Sequence, residues 1–263
     1  MSSEQRPADA RLWRVLVIGN SMATIVPGRN SRLEGPYPEL LEALLRGAGI
    51  DAEVRNTARE FDLIHRGIHR LQEEERAWCP DVLVVNYGMI EAQSPVVPHG
   101  VHNHFMTWDT GLSRPAAAYR RLVAPRIWPR LRRYQRFAMG RLGMRGWRVS
   151  PRRFAAEVQR VILLARSEHR LVLVIDVGPP GPRLVRSLPT IDQRVDIMND
   201  VLHDVVGKAA AEDADVKLIE ASALADEMGI DAAIPDGYHW SPPAHRRVAE
   251  MLAAEIIPWI TSF

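Results

Sequence analysis

LWRVLVIGNS, at residues 12–21, is an apolar run with β-branched residues that stops abruptly at Gly-Asn-Ser. A short apolar run that ends at a glycine is typical of a buried parallel β-strand, and we take it as strand one. Four later segments predict strands two to five: residues 51–56, 81–88, 170–178 and 216–222.

Segments with helical periodicity separate these strands. The segment at residues 61–75, for example, carries Phe61, Ile64, Ile68 and Leu71 at helical spacing. The other predicted helices cover residues 35–49, 151–168, 191–212 and 241–260. Strands that alternate with helices predict an α/β fold, here a three-layer α/β/α sandwich on a mainly parallel five-stranded sheet.

The length and composition fit one domain. The chain has 263 residues, of which 46% are hydrophobic and 25% charged, as in ordinary globular proteins. We predict a disordered tail at residues 1–10 and a single domain over 11–263, with residues 92–150 inserted after strand three as a lid or cap. The only cysteine, Cys79, excludes an internal disulfide framework and is expected to be a small buried hydrophobe.

The N-terminus lacks the apolar segment of a secretory signal, and no apolar run is long enough to span a bilayer. We therefore expect a cytoplasmic protein.

Positive charge is concentrated in one segment. Residues 110–156 contain 13 arginines and no acidic residue, whereas the rest of the chain has 21 basic and 32 acidic residues. This segment is either a solvated helical face or a binding surface for an anion, such as the phosphates of an acyl-coenzyme A or an acidic carrier protein. With Trp128, Phe137 and Trp147 it also fits a peripheral contact with an anionic membrane. Nucleic acid is the partner we expect least.

The residues after strand one lie where parallel sheets bind their ligands, at the carboxyl ends of the strands. Ser21 is placed there, in a turn that exposes its hydroxyl beside free N–H groups. The turn lacks the second and third glycines of a dinucleotide fingerprint and the Gly-Lys-Ser/Thr of a phosphate-binding loop. We therefore expect no cofactor.

A second polar cluster, PDGYHWSPPAH at residues 235–245, contains an aspartate and a histidine three residues apart. In one turn, Asp236 can bond Nδ1 of His239 and leave Nε2 to face Ser21. A serine hydroxyl needs such a base, and the base needs an orienting acid, before it becomes a good nucleophile. Taken singly, the serine fits an N-cap, the aspartate a turn residue and the histidine a surface residue.

Together these segments resemble the SGNH (GDSL-like) hydrolase family. VLVIGNSM (15–22) resembles its nucleophile block, and DGYHWSPPAHRRVAEML (236–252) its C-terminal block. Weaker matches are VRNTA (54–58), VVNYGMIEA (84–92) and QRVDIMNDVL (193–202). The resemblance implies acyl transfer through an acyl-serine, with Ser21 as nucleophile, His239 as general base and then acid, and Asp236 as the orienting carboxylate. It leaves His245 a packing or capping role.

The resemblance also implies three oxyanion donors, and two of them differ in this chain. The family uses the serine N–H, a glycine N–H of the second block and an asparagine amide of the third. Ala58 takes the place of the glycine, where a backbone N–H survives. The third block reads Gly88-Met89-Ile90-Glu91, which puts Ile90 in place of the asparagine. Losing one donor costs on the order of 3 kcal/mol.

Three outcomes follow from this departure. Asn56 or Asn86 supplies the missing donor, the oxyanion hole works with two donors, or the protein is impaired as an enzyme. Asn86 fits a structural role equally well, and Glu91 is expected to hold its loop rather than to act in chemistry.

A histidine cluster at residues 99–104 could contribute metal ligands. His99, His102 and His104 have no matching carboxylate or cysteine set, so we predict no metal site and treat them as histidines near a pocket mouth.

The leading hypothesis is therefore a serine esterase or acylhydrolase that cleaves a carboxylic ester of a small molecule. The alternatives are an acyltransferase of the same fold, which takes its acyl group from a thioester of coenzyme A or a carrier protein, and a binding protein that keeps the pocket without catalysis.

Overall fold

The computed structural model describes residues 11–28, 35–93, 126–127, 130, 146–166, 170–188, 190–213 and 215–263. The predicted tail at residues 1–10 lies outside the described residues. So do most of the predicted insertion and its three clustered histidines. The proposed role of the insertion as a lid or cap remains a prediction.

The described strands form one parallel sheet in the order β2-β1-β3-β4-β5. Their bounds are Trp13–Gly19 (β1), Ala52–Asn56 (β2), Val82–Asn86 (β3), Leu171–Ile175 (β4) and Val216–Ile219 (β5). The predicted fold class is confirmed. Since the chain order reverses between β1 and β3, the crevice at their carboxyl ends is where this topology places a ligand.

Helices cover both faces of the sheet. They are Tyr37–Gly47 (α1), Ile64–Trp78 (α2), Met89–Ala92 (α3), Pro151–Arg166 (α4), Pro182–Ser187 (α5), Ile191–Glu212 (α6), Leu224–Met228 (α7), Ile230–Ala233 (α8) and Pro242–Thr261 (α9). The bounds predicted for α6 agree with the structure, whereas the short helices α3, α5, α7 and α8 were not predicted. No helix among the described residues has the length and apolar character needed to cross a membrane.

The two-residue period of a strand divides β1 between two cores. Val15 and Val17 belong to the core that contains residues of α1 and α9, and Leu16 and Ile18 belong to the core under α2, α4 and α6. All four side chains are fully buried. This double burial explains why β1 reads as a continuous apolar run.

Two predictions near α2 are wrong. Phe61 was placed on the helix, but it precedes Ile64, has a φ of 55° and is 38% exposed. The helix begins later because a carboxylate oxygen of Glu91 accepts a hydrogen bond from the Ile64 N–H at 2.9 Å. Cys79 was expected to be buried, but it is exposed. It ends α2 in the left-handed conformation, with a φ of 49°, and this turns its side chain away from the apolar face.

The carboxyl ends of β1 and β3 approach each other closely. Gly19 at the end of β1 lies opposite Asn86 at the end of β3. A Cβ atom at Gly19 would lie 3.0 Å from the carbonyl oxygen of Asn86, so a larger residue would push the strands apart. The glycine therefore lets the turn after β1 lie directly against β3.

Candidate active site

Ser21 lies in a tight turn at the carboxyl end of β1. Residues Ser21–Ala23 form a 3₁₀ turn, and the side chain of Asn20 caps it by accepting a hydrogen bond from the Met22 N–H at 3.1 Å. The Ser21 N–H donates to no described residue. The turn therefore presents a hydroxyl and an unused backbone N–H side by side, in a residue that is only 6% exposed.

The hydroxyl of Ser21 contacts a histidine from the other end of the chain. Nε2 of His239 lies 3.0 Å from the Ser21 Oγ, and Nδ1 of the same ring lies 2.6 Å from Oδ2 of Asp236. Because a carboxylate can only accept, Nδ1 carries the proton in the neutral ring, and Nε2 is left as the acceptor for the serine hydroxyl. The structure thus brings together the three residues that the sequence predicted to meet.

The turn that carries the histidine is held by its own aspartate. Oδ1 of Asp236 accepts hydrogen bonds from the N–H groups of Tyr238 and His239, both at 2.8 Å. Gly237 has a φ of 88°, and a Cβ at the facing Gly181 would lie 2.6 Å from the Gly237 Cα. Glycine is needed at both positions for the turn to close in this form.

The charge state of Asp236 suits an orienting role. Burial raises the pKa of its carboxyl, but the hydrogen bonds from the His239 side chain and from the two backbone N–H groups outweigh burial and lower the pKa below its usual value. The carboxylate therefore stays ionised near neutral pH, and it can stabilise a positive charge on the imidazole.

His245 has a different function from His239. Its Nδ1 accepts a hydrogen bond from the Tyr37 N–H at 3.2 Å, and its Nε2 donates to the Ile25 carbonyl at 3.1 Å. The residue is fully buried, and burial lowers its pKa to about 4. The predicted packing role is confirmed: His245 joins the start of α9 to α1 and to the segment that follows the Ser21 turn.

Ala58, the second predicted oxyanion donor, is already engaged. Its N–H donates to Oδ1 of Asn56 at 3.1 Å, while Nδ2 of Asn56 donates to the Ala23 carbonyl at 2.9 Å. Both ends of the Asn56 amide are therefore occupied. Sequence reasoning missed that this asparagine fastens the second block to the turn that carries Ser21, because the contact joins segments 33 residues apart.

The third block is organised around a buried carboxylate. Glu91 is fully buried, and its two oxygens accept hydrogen bonds from the Ile64 and Gly88 N–H groups, both at 2.9 Å. Burial raises its pKa to about 7. The expectation that Glu91 holds its loop is confirmed. Ile90 is 3% exposed and packs in the core under α2, α4 and α6.

Gly88 fits the third block against the loop after β4. It has a φ of 131°, and a Cβ there would lie 2.2 Å from a methyl group of Val177. Val177 is fixed in turn by Asn199 of α6, whose Oδ1 accepts from its N–H at 2.8 Å and whose Nδ2 donates to its carbonyl at 2.9 Å. The asparagine of the QRVDIMNDVL segment therefore sets the position of a loop at the site edge.

Asn86 keeps unused hydrogen-bond donors. Its side chain lies beside the phenol of Tyr37, and its amide nitrogen is buried without a hydrogen bond of standard geometry to any described residue. The same is true of the amide nitrogen of Asn20. Asn86 thus remains a candidate donor at the end of β3.

The described residues contain no group of three or more histidine, cysteine, aspartate or glutamate side chains arranged to hold a metal ion. What the arrangement offers is a serine hydroxyl bonded to an imidazole that is oriented by a carboxylate. This is the constellation of nucleophilic catalysis.

Solved structures with this fold include several ester hydrolases. The lipase/acylhydrolase from Enterococcus faecalis aligns with a TM-score of 0.60 and 16% identity, over 93% of this chain and 95% of that one. A protein assigned as a GDSL-like lipase, from Parabacteroides merdae, aligns at 0.57 and 12%, over 92% and 94%. The acetylxylan esterase Axe2 from Geobacillus stearothermophilus aligns at 0.54 and 13%, over 93% and 94%.

These likenesses establish the fold. No family model matches the sequence, and no curated protein matches it. The resemblance to the SGNH hydrolases that the two sequence blocks indicate is confirmed at the level of the fold, and one of these structural neighbours is itself described as GDSL-like.

Proposed function

We propose that this protein is a serine hydrolase that cleaves a carboxylic ester through an acyl-serine intermediate. The observation that carries the proposal is the hydrogen-bonded series Asp236–His239–Ser21, with distances of 2.6 and 3.0 Å, at the carboxyl end of β1. The fold of the structural neighbours supports it, because that fold is found in lipases and acetylxylan esterases.

The geometry suits a two-step reaction. Ser21 Oγ attacks the ester carbonyl carbon while His239 Nε2 takes the hydroxyl proton, which forms a tetrahedral oxyanion. The C–O bond to the alcohol then breaks, and the alcohol leaves with the proton from Nε2. Water attacks the acyl-serine by the same route, gives its proton to Nε2, and releases the acid when the proton returns to Oγ. Asp236 stabilises the imidazolium in both steps.

The oxyanion is received by the Ser21 N–H and by the Ala58 N–H. The first donates to no described residue, and the second becomes available when it releases Oδ1 of Asn56. With Ile90 in the third block, one donor is absent unless Asn86 replaces it. Since one donor contributes on the order of 3 kcal/mol, a two-donor hole supports turnover at a modest rate.

Replacement of the nucleophile tests the proposal. The Ser21→Ala variant is expected to lose p-nitrophenyl butyrate hydrolysis by about 10⁴-fold or more, because the acyl-enzyme cannot form. Ser150→Ala is the matched control, since among the described residues the exposed Ser150 hydroxyl bonds only the Arg153 N–H. Unchanged turnover in Ser21→Ala would contradict the proposal.

A second candidate function transfers the acyl group to an alcohol or amine instead of water. The 13 arginines of residues 110–156 favour it, because guanidinium groups bind the phosphates of an acyl-coenzyme A or an acidic carrier protein. It predicts that an added acceptor is acylated faster than the acid is released, which product analysis by mass spectrometry decides.

The third candidate is a non-catalytic binding protein. Ile90 in the third block and the engaged Ala58 N–H favour it. It predicts ligand binding without turnover, and a measurable p-nitrophenyl butyrate hydrolysis that depends on Ser21 excludes it.

A further inference from the structure

Arg148 occupies an unusual place beside the candidate active site. It lies within the arginine-rich segment, just before α4, and its N–H donates to the carbonyl of Gln93 at 2.9 Å. The next N–H, that of Val149, donates to the Glu91 carbonyl at 3.3 Å. These bonds fix the backbone of Arg148 against α3, and the residue is only 8% exposed.

The guanidinium of Arg148 has no partner among the described residues: no hydrogen bond or ion pair joins it to any of them. Arg194, which is also 8% exposed, shows the contrast. Its guanidinium donates to the carbonyls of Ala92 at 3.2 Å and Gly146 at 3.0 Å and covers the ring of Trp147. Of these two neighbouring buried arginines, one is satisfied and the other is not.

The nearby carboxylate does not neutralise Arg148. Glu91 attracts the guanidinium electrostatically but forms no ion pair with it within 4.0 Å. Both Glu91 oxygens already accept backbone N–H groups, from Ile64 and Gly88. The sequence around Arg148 supplies no counter-ion either, because residues 110–156 contain no aspartate or glutamate. A largely buried charge without a counter-ion is unfavourable, and a bound anion would relieve that cost.

Arg148 lies near the turn that carries the imidazole. Tyr238 is among the groups close enough to influence the pKa of Arg148. It directly precedes His239 in the chain, and their two rings lie 6.1 Å apart. Arg148 is therefore fixed by its backbone beside α3, in the neighbourhood of the turn that carries the imidazole.

We propose that Arg148 binds a carboxylate or phosphate group carried by the substrate, and so makes the protein selective for anionic esters. This inference rests on the proposed ester hydrolysis. A guanidinium suits the task because its fork of donors matches both kinds of anion, and because it stays charged in a buried place. The anion is carried on either the acyl or the alcohol part of the ester.

Two matched pairs of esters distinguish an anion on the acyl part from an anion on the alcohol part. The acyl pair is mono-p-nitrophenyl succinate and p-nitrophenyl butyrate, and the alcohol pair is 4-acetoxybenzoate and its methyl ester. The parent protein is expected to favour the anionic member of one pair in kcat/KM by about tenfold or more, the effect of one charge-assisted hydrogen-bonded contact. The pair that shows the preference identifies the part of the ester that carries the anion.

Variants of Arg148 assign the preference to this side chain. In Arg148→Met the ratio of the two kcat/KM values is expected to fall toward one, and in Arg148→Lys part of the ratio should remain, since a point charge replaces the fork. Arg152→Met is the control: Arg152 belongs to the same arginine-rich segment but is exposed, and its loss should leave the ratio unchanged. A structural role for Arg148 would lower the melting temperature of the Met variant, whereas relief of an unpaired buried charge should leave it unchanged or raise it.

A parent protein with no preference in either pair, or a preference that persists in Arg148→Met, would overturn the inference. Binding is also measured without turnover. Succinate and inorganic phosphate are titrated against Ser21→Ala, and at least one is expected to raise its melting temperature. The rise should be lost in Ser21→Ala/Arg148→Met. If no ester is hydrolysed but the anion still binds through Arg148, the proposed function fails alone; if esters are hydrolysed and no anion binds, this inference fails alone.

Discussion

The candidate site has a proton-transfer half and an oxyanion half, and only the first has all its groups in place. On one side, Asp236, His239 and Ser21 form a continuous series of hydrogen bonds, and the turn that carries the histidine is held by its own aspartate. On the other side, the groups that would stabilise an oxyanion are incomplete. The Ala58 N–H is bound by Asn56, and an isoleucine replaces the asparagine of the third block.

This difference shows that proton transfer and charge stabilisation are separable in one fold. The proton-transfer half depends on side chains that two short motifs specify: Ser21 in the turn after β1, and Asp236 and His239 within one turn of four residues. The oxyanion half depends on backbone N–H groups, and the Ala58 N–H is engaged by the Asn56 side chain, which the distant Ala23 carbonyl holds in place. We therefore expect disruption of the first half to abolish activity and changes in the second half to adjust it.

The largest effect is expected from Asp236→Asn, which breaks the proton-transfer half with little change in shape. An amide can donate to Nδ1 and so favours the wrong tautomer of His239, and it no longer supports the imidazolium. The kcat for p-nitrophenyl butyrate should fall by about 10⁴-fold. Asp231→Asn, at an exposed position of α8, is the control. A loss of less than tenfold in Asp236→Asn would show that the carboxylate does not orient the base.

His245, the second histidine of residues 235–245, is expected to affect the stability of the fold rather than the reaction. The pKa of His245 is about 4, below its ordinary value of 6.5, so the folded protein binds fewer protons than the unfolded chain between these pH values. The free energy of unfolding should fall as the pH falls from 6.5 to 4, and His245 contributes about 3 kcal/mol of that loss.

Urea unfolding at several pH values measures this dependence in the parent and in His245→Gln. The unfolding free energies of the two proteins must be subtracted at each pH, because the titration of Glu91 changes the stability of both in the opposite direction. With a pKa of about 7, raised from 4.5, Glu91 costs stability as the pH rises through that range. His239→Gln is the control and should keep the contribution of His245. Parallel pH profiles for the parent and His245→Gln would refute the assigned role of the buried imidazole.

A smaller effect is expected in the oxyanion half from two variants of Asn56. Both Asn56→Asp and Asn56→Ala lose the hydrogen bond to the Ala23 carbonyl, and the aspartate in addition brings a carboxylate oxygen towards that carbonyl. The aspartate still accepts from the Ala58 N–H and holds it more tightly, whereas the alanine releases it. We expect kcat to fall by about tenfold in the Asp variant and by less in the Ala variant. A slower Ala variant would mean that the Ala58 N–H takes no part in the oxyanion hole.

Sequence patterns predicted the framework because its determinants are local. The apolar run of β1 and the periodicity of Ile191–Glu212 each specify one element, and the structure has both. Phe61 and Cys79 were mispredicted because they lie just outside the two ends of α2. There, a tertiary contact from Glu91 and a left-handed cap, rather than periodicity, decide where the helix begins and ends.

The site was predictable to the extent that it depends on side chains within short motifs. The spacing of Asp236 and His239 indicated their contact, and the carboxyl end of β1 indicated where Ser21 would meet them. The engagement of the Ala58 N–H and the unpaired guanidinium of Arg148 were not predictable. The Asn56 side chain that binds the Ala58 N–H is held in place by the distant Ala23 carbonyl, and the surroundings of Arg148 come from segments far apart in the chain.

Activation of Ser21 by His239 can be measured by fluorophosphonate labelling followed by peptide mass spectrometry. We expect one adduct per chain, on the peptide that contains Ser21, and loss of that adduct in His239→Ala but not in Ser150→Ala. A folded parent protein that carries no adduct on Ser21, or an adduct that forms equally fast in His239→Ala, would contradict it.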